Sequence, residues 1–226
     1  MKQPISHVEN CDNMQFMAQY PDKFFDWIID DPPYGINVGN MRMGLGAGKR
    51  CSKAKNRIWK PKDWDSSTPD KLYFEELFRV SKNQIIWGGN YFSNLLPPSQ
   101  YFAIWDKGEG LKGRSFAECE YAWVSSGGTR IFKLNPNQLT RIHPTQKPVS
   151  LYDWLLKNYA KEGDKILDTH MGSQSSRIAC YKRGFDYWGC ELDKEYFDQG
   201  NERFQKAIEM PLFEKQENKG IQTSLL

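Results

Sequence analysis

The chain has 226 residues and a formal net charge of +3, with 26% charged and 14% aromatic residues. That length supports one substantial domain, and the composition is that of a globular protein rather than a disordered or fibrous one. The five cysteines (11, 51, 119, 180, 190) form no CxxC pair, no apolar run reaches the length of a bilayer span, and the amino end lacks a secretory pattern. Disulfide scaffolds, zinc ribbons and membrane proteins are therefore set aside, and a cytoplasmic location is expected.

In chain order, the apolar run Phe24 to Ile29 predicts a buried strand that ends at Asp30-Asp31-Pro32-Pro33, where two prolines remove ladder donors. From Pro32 to Lys62 there is no acidic residue, while Arg42, Lys49, Arg50, Lys53, Lys55, Arg57, Lys60 and Lys62 all fall there. Eight of the 31 basic residues thus sit in one segment, and the rest of the chain is mildly acidic. Glycines 39, 44, 46 and 48 make it a loop, and its field suits a polyanion.

Thr68-Pro69 predicts an N-cap and first helical position, with a helix over about 69–80. Gln84 to Trp87 reads as a strand, Asn90 to Leu96 as a short helix stopped by Pro97-Pro98, and Tyr101 to Trp105 as another strand. Residues 116–124 and 130–134 suggest a small antiparallel pair. Pro148 opens a helix to about Ala160, followed by a strand over Lys165 to Leu167, a glycine turn, a helix over about 174–183 and a strand from Phe185 to Cys190. A last amphipathic helix starts near Asp193 and stops before Pro211. This alternation predicts an α/β fold, a mostly parallel twisted sheet with helices on both faces, in one domain over 1–226.

Three stretches carry chemistry. Asp31-Pro32-Pro33-Tyr34 ends a buried strand, the edge where open α/β sheets place ligands. A carboxylate and proline carbonyls accept hydrogen bonds while proline nitrogens donate none, so the turn is rigid and rich in acceptors. It suits a planar group with two N–H donors, such as the amine of a base, with Tyr34 offering a face for stacking. Trp87 and Phe92 are candidates for further walls.

Asp168 to Ser176 follows as strand, tight turn and helix. Gly172 permits close backbone approach to a ligand, Ser173 and Ser175 can cap the helix, and Glu191 lies 19 residues beyond Gly172 at the end of the next strand. An acid in that place can bind ribose hydroxyls. In the third stretch, His143-Pro144-Thr145-Gln146-Lys147-Pro148 opens a helix, where Lys147 and the helix amino end favour an anion such as a carboxylate.

Together these stretches resemble the DNA amino-methyltransferases that use S-adenosylmethionine. Asp31-Pro32-Pro33-Tyr34 looks like the catalytic motif. Asp168 to Ser176 is similar to the cofactor loop, usually Asp-Pro-Phe-x-Gly-Ser-Gly-Thr-Thr, and His143 to Pro148 to the motif that precedes it. The catalytic motif comes first and the cofactor loop last, which matches the permuted beta class with a Rossmann-like fold. Leu77 to Val80 and Trp87 to Asn90 look like its middle motifs, and Glu9 to Asp12 like its acidic motif near the cofactor adenine.

The departures are Thr169 and His170 for Pro and Phe, and Gln174 for the second glycine. A side chain at 174 would crowd the cofactor or touch it through its amide. The resemblance implies methyl transfer to the 6-amino group of a flipped adenine in double-stranded DNA. Asp31, Pro32, Pro33 and Tyr34 would be catalytic. Asp12, His143, Lys147, Asp168, His170, Gly172, Ser173, Gln174, Ser175 and Glu191 would bind the cofactor. N4-cytosine or RNA-base methylation, and an inactive nucleic-acid-binding relative, remain alternatives.

The basic loop 39–62 is expected to contact phosphates through Arg42, Lys49, Arg50, Lys53, Lys55 and Arg57. A target-recognition segment is expected at about 107–142, with Arg114, Arg130 and Arg141. No metal site is expected. Homodimers occur in the group, although no feature here demands one. Met210-Pro211-Leu212-Phe213 faintly resembles sliding-clamp-binding peptides, but reads better as the hydrophobic end of the last helix.

Overall fold

The computed structural model describes residues 3–38, 60–108, 117–135 and 141–209. The elements in chain order are β1 (Ser6–Glu9), α1 (Asn13–Met17), β2 (Phe25–Asp30), α2 (Lys71–Val80), β3 (Ser81–Trp87), β4 (Tyr101–Asp106), β5 (Cys119–Val124) and β6 (Arg130–Lys133). The second half adds α3 (Val149–Tyr159), β7 (Lys165–Asp168), α4 (Ser175–Arg183), β8 (Asp186–Cys190) and α5 (Lys194–Glu209).

The strands form one eight-stranded sheet in the order β1-β8-β7-β2-β3-β5-β4-β6. From β1 to β3 every pairing is parallel, β5 runs antiparallel to both β3 and β4, and β6 is parallel to β4. Side chains alternate across the sheet, as the two-residue period of a strand requires. Trp27, Ile29, Ile85 and Trp87 face a core closed by Leu151, Leu155 and Leu156 of α3 and by Ala179 and Cys180 of α4. Ile28, Ile86 and Leu167 face a second core closed by Phe16 and Met17 of α1 and by Tyr73, Phe74 and Leu77 of α2. Helices thus cover both faces of a mostly parallel sheet.

Three local expectations are corrected. Helix α2 is capped by Asp70, whose Oδ1 accepts the N–H of Tyr73 at 3.0 Å, not by Thr68, which lines a cavity instead. Asn90 to Leu96 is a run of turns, with N–H to carbonyl bonds such as Tyr91 to Gly88 (2.8 Å) and Leu95 to Phe92 (2.8 Å), rather than a helix. Strands β5 and β6 do not pair with each other: Ala122, Trp123 and Val124 are buried because β5 inserts between β3 and β4. Strand β1 and helix α1 escaped a search for apolar runs, since β1 has only four residues and none is fully buried.

The chain order reverses between β2 and β7. From β2 the first half of the chain builds outward through β3, and from β7 the second half builds outward through β8. The crevice beyond the carboxyl ends at such a reversal is where open α/β sheets hold ligands. Here those ends are Asp30-Asp31 and Asp168-Thr169-His170, side by side because Trp27 pairs with Ile166 and Ile28 with Leu167.

Candidate active site

A cavity of about 540 Å3 opens at this point, within the range of small-molecule sites. Of the residues singled out in the sequence, it brings together Asp12, Asp31, Pro33, His143, Lys147, His170, Gly172, Ser173 and Glu191. Pro32, Tyr34, Asp168, Gln174 and Ser175 do not line it.

The cofactor-loop side is built on backbone donors. Gly172 has φ +45, a conformation that favours glycine, and its N–H donates to Glu191 Oε2 at 2.8 Å. Glu191 Oε1 accepts the N–H of Asp193 at 2.9 Å, so one carboxylate ties the glycine turn to the segment leading into α5. Burial pushes the Glu191 carboxyl up, against the pull of these two donors. Asp12 caps α1 by accepting the N–H groups of Met14 (2.9 Å) and Gln15 (3.2 Å), and still faces the cavity.

His143 is wedged between Trp64 (ring centroids 5.1 Å apart) and Tyr196 (4.3 Å). Burial and then the Lys147 charge push its pKa down to about 3, so it is a neutral wall of the cavity.

Beneath the cavity lies a buried polar cluster. Asp30 accepts from Tyr73 Oη, from the N–H of Thr169 at 3.0 Å and from Thr169 Oγ1 at 3.1 Å, and pairs with His170 Nδ1 at 2.9 Å. Burial pushes Asp30 up, but the His170, Tyr73 and Thr169 partners outweigh it and hold it low, while the Asp30 charge raises His170. Asp168 takes the opposite course. Burial, then the Asp30 charge, push it up to about 8, and its oxygens accept from Ser176 Oγ (2.5 Å) and the His170 N–H (3.0 Å). Asp168 therefore supports the loop from below. Thr169 and His170, two of the three departures from the usual motif, both bind Asp30.

Gln174 likewise lies outside the cavity lining. It sits at φ 57, and its side chain packs on Gly200 of α5, where Nε2 lies 3.3 Å from both Phe197 O and Asn201 Oδ1, while Oε1 accepts from Arg177 at 2.8 Å. The positive φ explains why a glycine would fit at this position. Ser175 Oγ donates to Lys147 O at 2.8 Å, pinning the His143–Pro148 segment to the start of α4.

On the catalytic-motif side, Asp31 is already engaged. Tyr34 Oη donates to Asp31 Oδ1 at 2.6 Å, and Lys147 Nζ meets Oδ2 at 2.5 Å. Lys147 is therefore not a free cation awaiting a cofactor carboxylate. The Tyr34 ring stacks on Tyr91 (4.8 Å, 13°) and covers Gly88, where an added Cβ would come within 2.3 Å of it. Trp87 and Phe92 are fully buried and offer no surface to a base.

Pattern reading missed Trp64, Tyr73, Tyr152 and Tyr196 in the lining, and Asp65, whose carboxylate is buried behind the catalytic turn. None of them left a local signal; the acid that closes the basic segment is Asp63, two residues before Asp65. Arg42, Lys49, Arg50, Lys53, Lys55, Arg57, Arg114 and Met210 to Phe213 lie outside the described residues. Lys62, at the loop's far end, is paired with Asp193 (2.6 Å) and Glu195 (3.2 Å). Arg130 lies on exposed β6 with its guanidinium 5.9 Å from the Tyr159 ring. Among the described residues no helix is long and apolar enough to cross a membrane. Nor does any group of three His, Cys, Asp or Glu among them form a metal site.

Fold and site thus define an open-sheet α/β protein with an acid-lined cleft at the sheet's reversal. A family model described as DNA methylase matches residues 86–202, and the chain belongs to that family, the N6/N4 DNA methyltransferases. It is 30% identical over 198 residues to the Type II methyltransferase M1.MboII of Moraxella bovis, covering 84% of this chain and 67% of that one. It is 23% identical over 241 residues to the Type II methyltransferase M2.DpnII of Streptococcus pneumoniae, covering 88% and 90%. Among solved structures, the M1.HpyAVI–SAM complex superposes with TM-score 0.57 at 16% identity, covering 87% of this chain and 98% of that one. The cytosine-N4-specific PvuII DNA methyltransferase gives 0.58 at 10%, covering 91% and 92%.

Proposed function

We propose that this chain transfers a methyl group from S-adenosylmethionine to the N6 amine of an adenine flipped out of double-stranded DNA. The observation that carries this reading is that Asp31 lines the same cavity as Gly172, Glu191 and Asp12. An acceptor for a base amine and a nucleoside-binding loop thus share one space.

The residues present fit the cofactor. Asp12, Asp31, Asp70, Glu191 and Asp193 line the cavity, a set of anionic acceptors suited to a ligand with a sulfonium, an ammonium and ribose hydroxyls. When bound, it supplies an electrophilic methyl group. Gly172 would let the backbone approach it, Glu191 and Asp12 would accept from its nucleoside, and His143 and Trp64 would wall it from water.

An aromatic amine is a poor nucleophile because its lone pair is delocalised. Asp31 accepts one of its N–H bonds and draws the nitrogen toward a tetrahedral shape, which frees the lone pair; the family resemblance gives the second N–H to the Pro32 carbonyl, which does not line the cavity here. Asp31 is also the nearest base for the proton that nitrogen sheds once alkylated. This is catalysis by positioning and electrostatics. Asp at the first motif position favours adenine over cytosine in this family. The basic segment holds the phosphates of the duplex.

Asp31→Ala tests the reading in a transfer assay with labelled S-adenosylmethionine and duplex DNA. Transfer should fall to background while cofactor binding persists, and normal transfer would refute the assignment.

A further inference from the structure

Behind Asp31 the charges continue as a ladder. Lys147 Nζ lies 2.5 Å from Asp31 Oδ2 and 3.3 Å from Glu120 Oε2, and Lys107 Nζ lies 2.5 Å from Glu120 Oε1. The Lys147 side chain is only 3% exposed. Its third neighbour is Tyr34 Oη at 3.4 Å, so each ammonium proton has one acceptor. The resemblance that identified Asp31 named neither Lys107 nor Glu120, although both fall in the segment 107–142 expected to recognise the target.

This arrangement raises a difficulty for the methyl transfer proposed above, on which the present inference rests. Both oxygens of Asp31 already accept a protein donor, Tyr34 on one and Lys147 on the other. An incoming amine must displace or share one of them. Transfer also places positive charge on the amine nitrogen, and an ammonium held on Asp31 opposes that charge. Yet moving a buried ammonium away from its only counter-ion would be strongly unfavourable. A second carboxylate removes that penalty.

We propose that Glu120 is a positioning residue: it holds Lys147 when a base amine takes the place of Lys147 at Asp31. Lys107 keeps Glu120 in place from the other side. In the resting protein Lys147 bridges the two carboxylates and keeps the buried pair neutralised. With the amine bound, Lys147 rests on Glu120 and Asp31 is free to accept. The charged and titratable groups around Asp31 are Lys147, Glu120, Tyr34 and Tyr152, and they act in known directions. Burial raises Asp31, Lys147 lowers it and Glu120 raises it.

The test compares the wild type with Glu120→Gln and Lys147→Met, measuring kcat for methyl transfer to duplex DNA from pH 5 to 9 and cofactor affinity by calorimetry. In Glu120→Gln, Lys147 has only Asp31 to hold. The expected result is kcat lower by about tenfold to a hundredfold, with an acid limb moved to lower pH. In Lys147→Met the buried Asp31 loses its cation, and the acid limb moves up by about one to three units. Cofactor affinity stays within about twofold in Glu120→Gln, whose side chain does not line the cavity, which separates this role from a general loss of structure.

Wild-type kcat with an unmoved limb in Glu120→Gln would overturn the proposal, as would limbs that move the same way in both variants. If Glu120→Gln does not fold, Lys107→Gln must move the acid limb up, because it removes a positive charge from the ladder, and an unmoved limb there is equally fatal. Asp31→Ala run alongside keeps the two ideas apart. Its retained activity would refute the transfer assignment itself, whereas its inactivity with unshifted Glu120 and Lys147 variants refutes only the ladder.

Discussion

Asp65 holds Gly35: the buried Asp65 carboxylate accepts the Gly35 N–H through Oδ1 at 2.9 Å, and the Val38 N–H through Oδ2 at 2.8 Å. Gly35 follows directly on Tyr34 and has φ +71, and a Cβ there would lie 3.1 Å from Thr68 N. One carboxylate, 30 residues further along the chain, thus fixes the exit of the catalytic turn.

Replacing Asp65 by Ala leaves two amide donors without a partner, at a cost of about 1–3 kcal/mol for each that stays buried. The expected outcome is a lower Tm and a kcat reduced by about a hundredfold, from misplacement of Asp31. Cofactor affinity should change less, because Gly172 and Glu191 are held independently. Thermal melts, single-turnover rates and calorimetry read the three effects, and an unchanged kcat would show that the turn holds itself.

Glu191→Ala removes the acceptor of both the Gly172 and Asp193 amides. Cofactor affinity should weaken by about tenfold to a hundredfold, corresponding to about 1.4–2.8 kcal/mol. Calorimetric titration with S-adenosylmethionine checks this. Equal affinity in the variant would place the nucleoside elsewhere.

Gln174→Gly restores the glycine usual at this position, yet the structure predicts no gain in cofactor affinity. The amide packs against Gly200 and bonds Arg177, away from the cavity. Glycine keeps the positive φ but loses this packing and hydrogen bonding, so stability should fall by about 1–2 kcal/mol with affinity within about twofold. Chemical denaturation and calorimetry test the two halves separately. A clear rise in affinity would mean that Gln174 does crowd the cofactor.

Asp168 carries a pH signature. Its carboxyl is pushed up to about 8 in the folded protein, against about 3.9 unfolded. Between those values the folded state holds a proton that the unfolded state has lost, so this residue's contribution to stability falls as pH rises, by about 1.4 kcal/mol per unit. Above about pH 8 the loss is complete. Asp168→Asn, which stays neutral, should flatten the fall in stability between pH 5 and 8. Denaturation curves across that range check it, and an equal slope in the variant would show that Asp168 is ionised.

Much of this was legible in the sequence because it sits on strands and turns with strong local signals. The apolar run before Asp31, the glycine turn at Gly172 and the acid at Glu191 declare themselves by spacing, and the sheet reversal brings them to one cavity. What could not be read depends on partners distant in sequence. The packing of Gln174 could not be read locally because its neighbour across space, Gly200, is 26 positions away. Lys147 looked like a free cation because its partners Asp31 and Glu120 come from the turn after β2 and from β5. Tyr34 looked like an open stacking face because nothing local reveals Tyr91 lying on it. Strand β5 looked like half of a hairpin because its insertion between β3 and β4 is a property of the whole sheet.

The most direct test of the central claim is to incubate the purified chain with S-adenosylmethionine and duplex DNA, digest the DNA and identify the modified nucleoside by mass spectrometry. The account predicts N6-methyldeoxyadenosine with the wild type and none with Asp31→Ala. N4-methyldeoxycytidine in its place, or an equal yield from the variant, would contradict it.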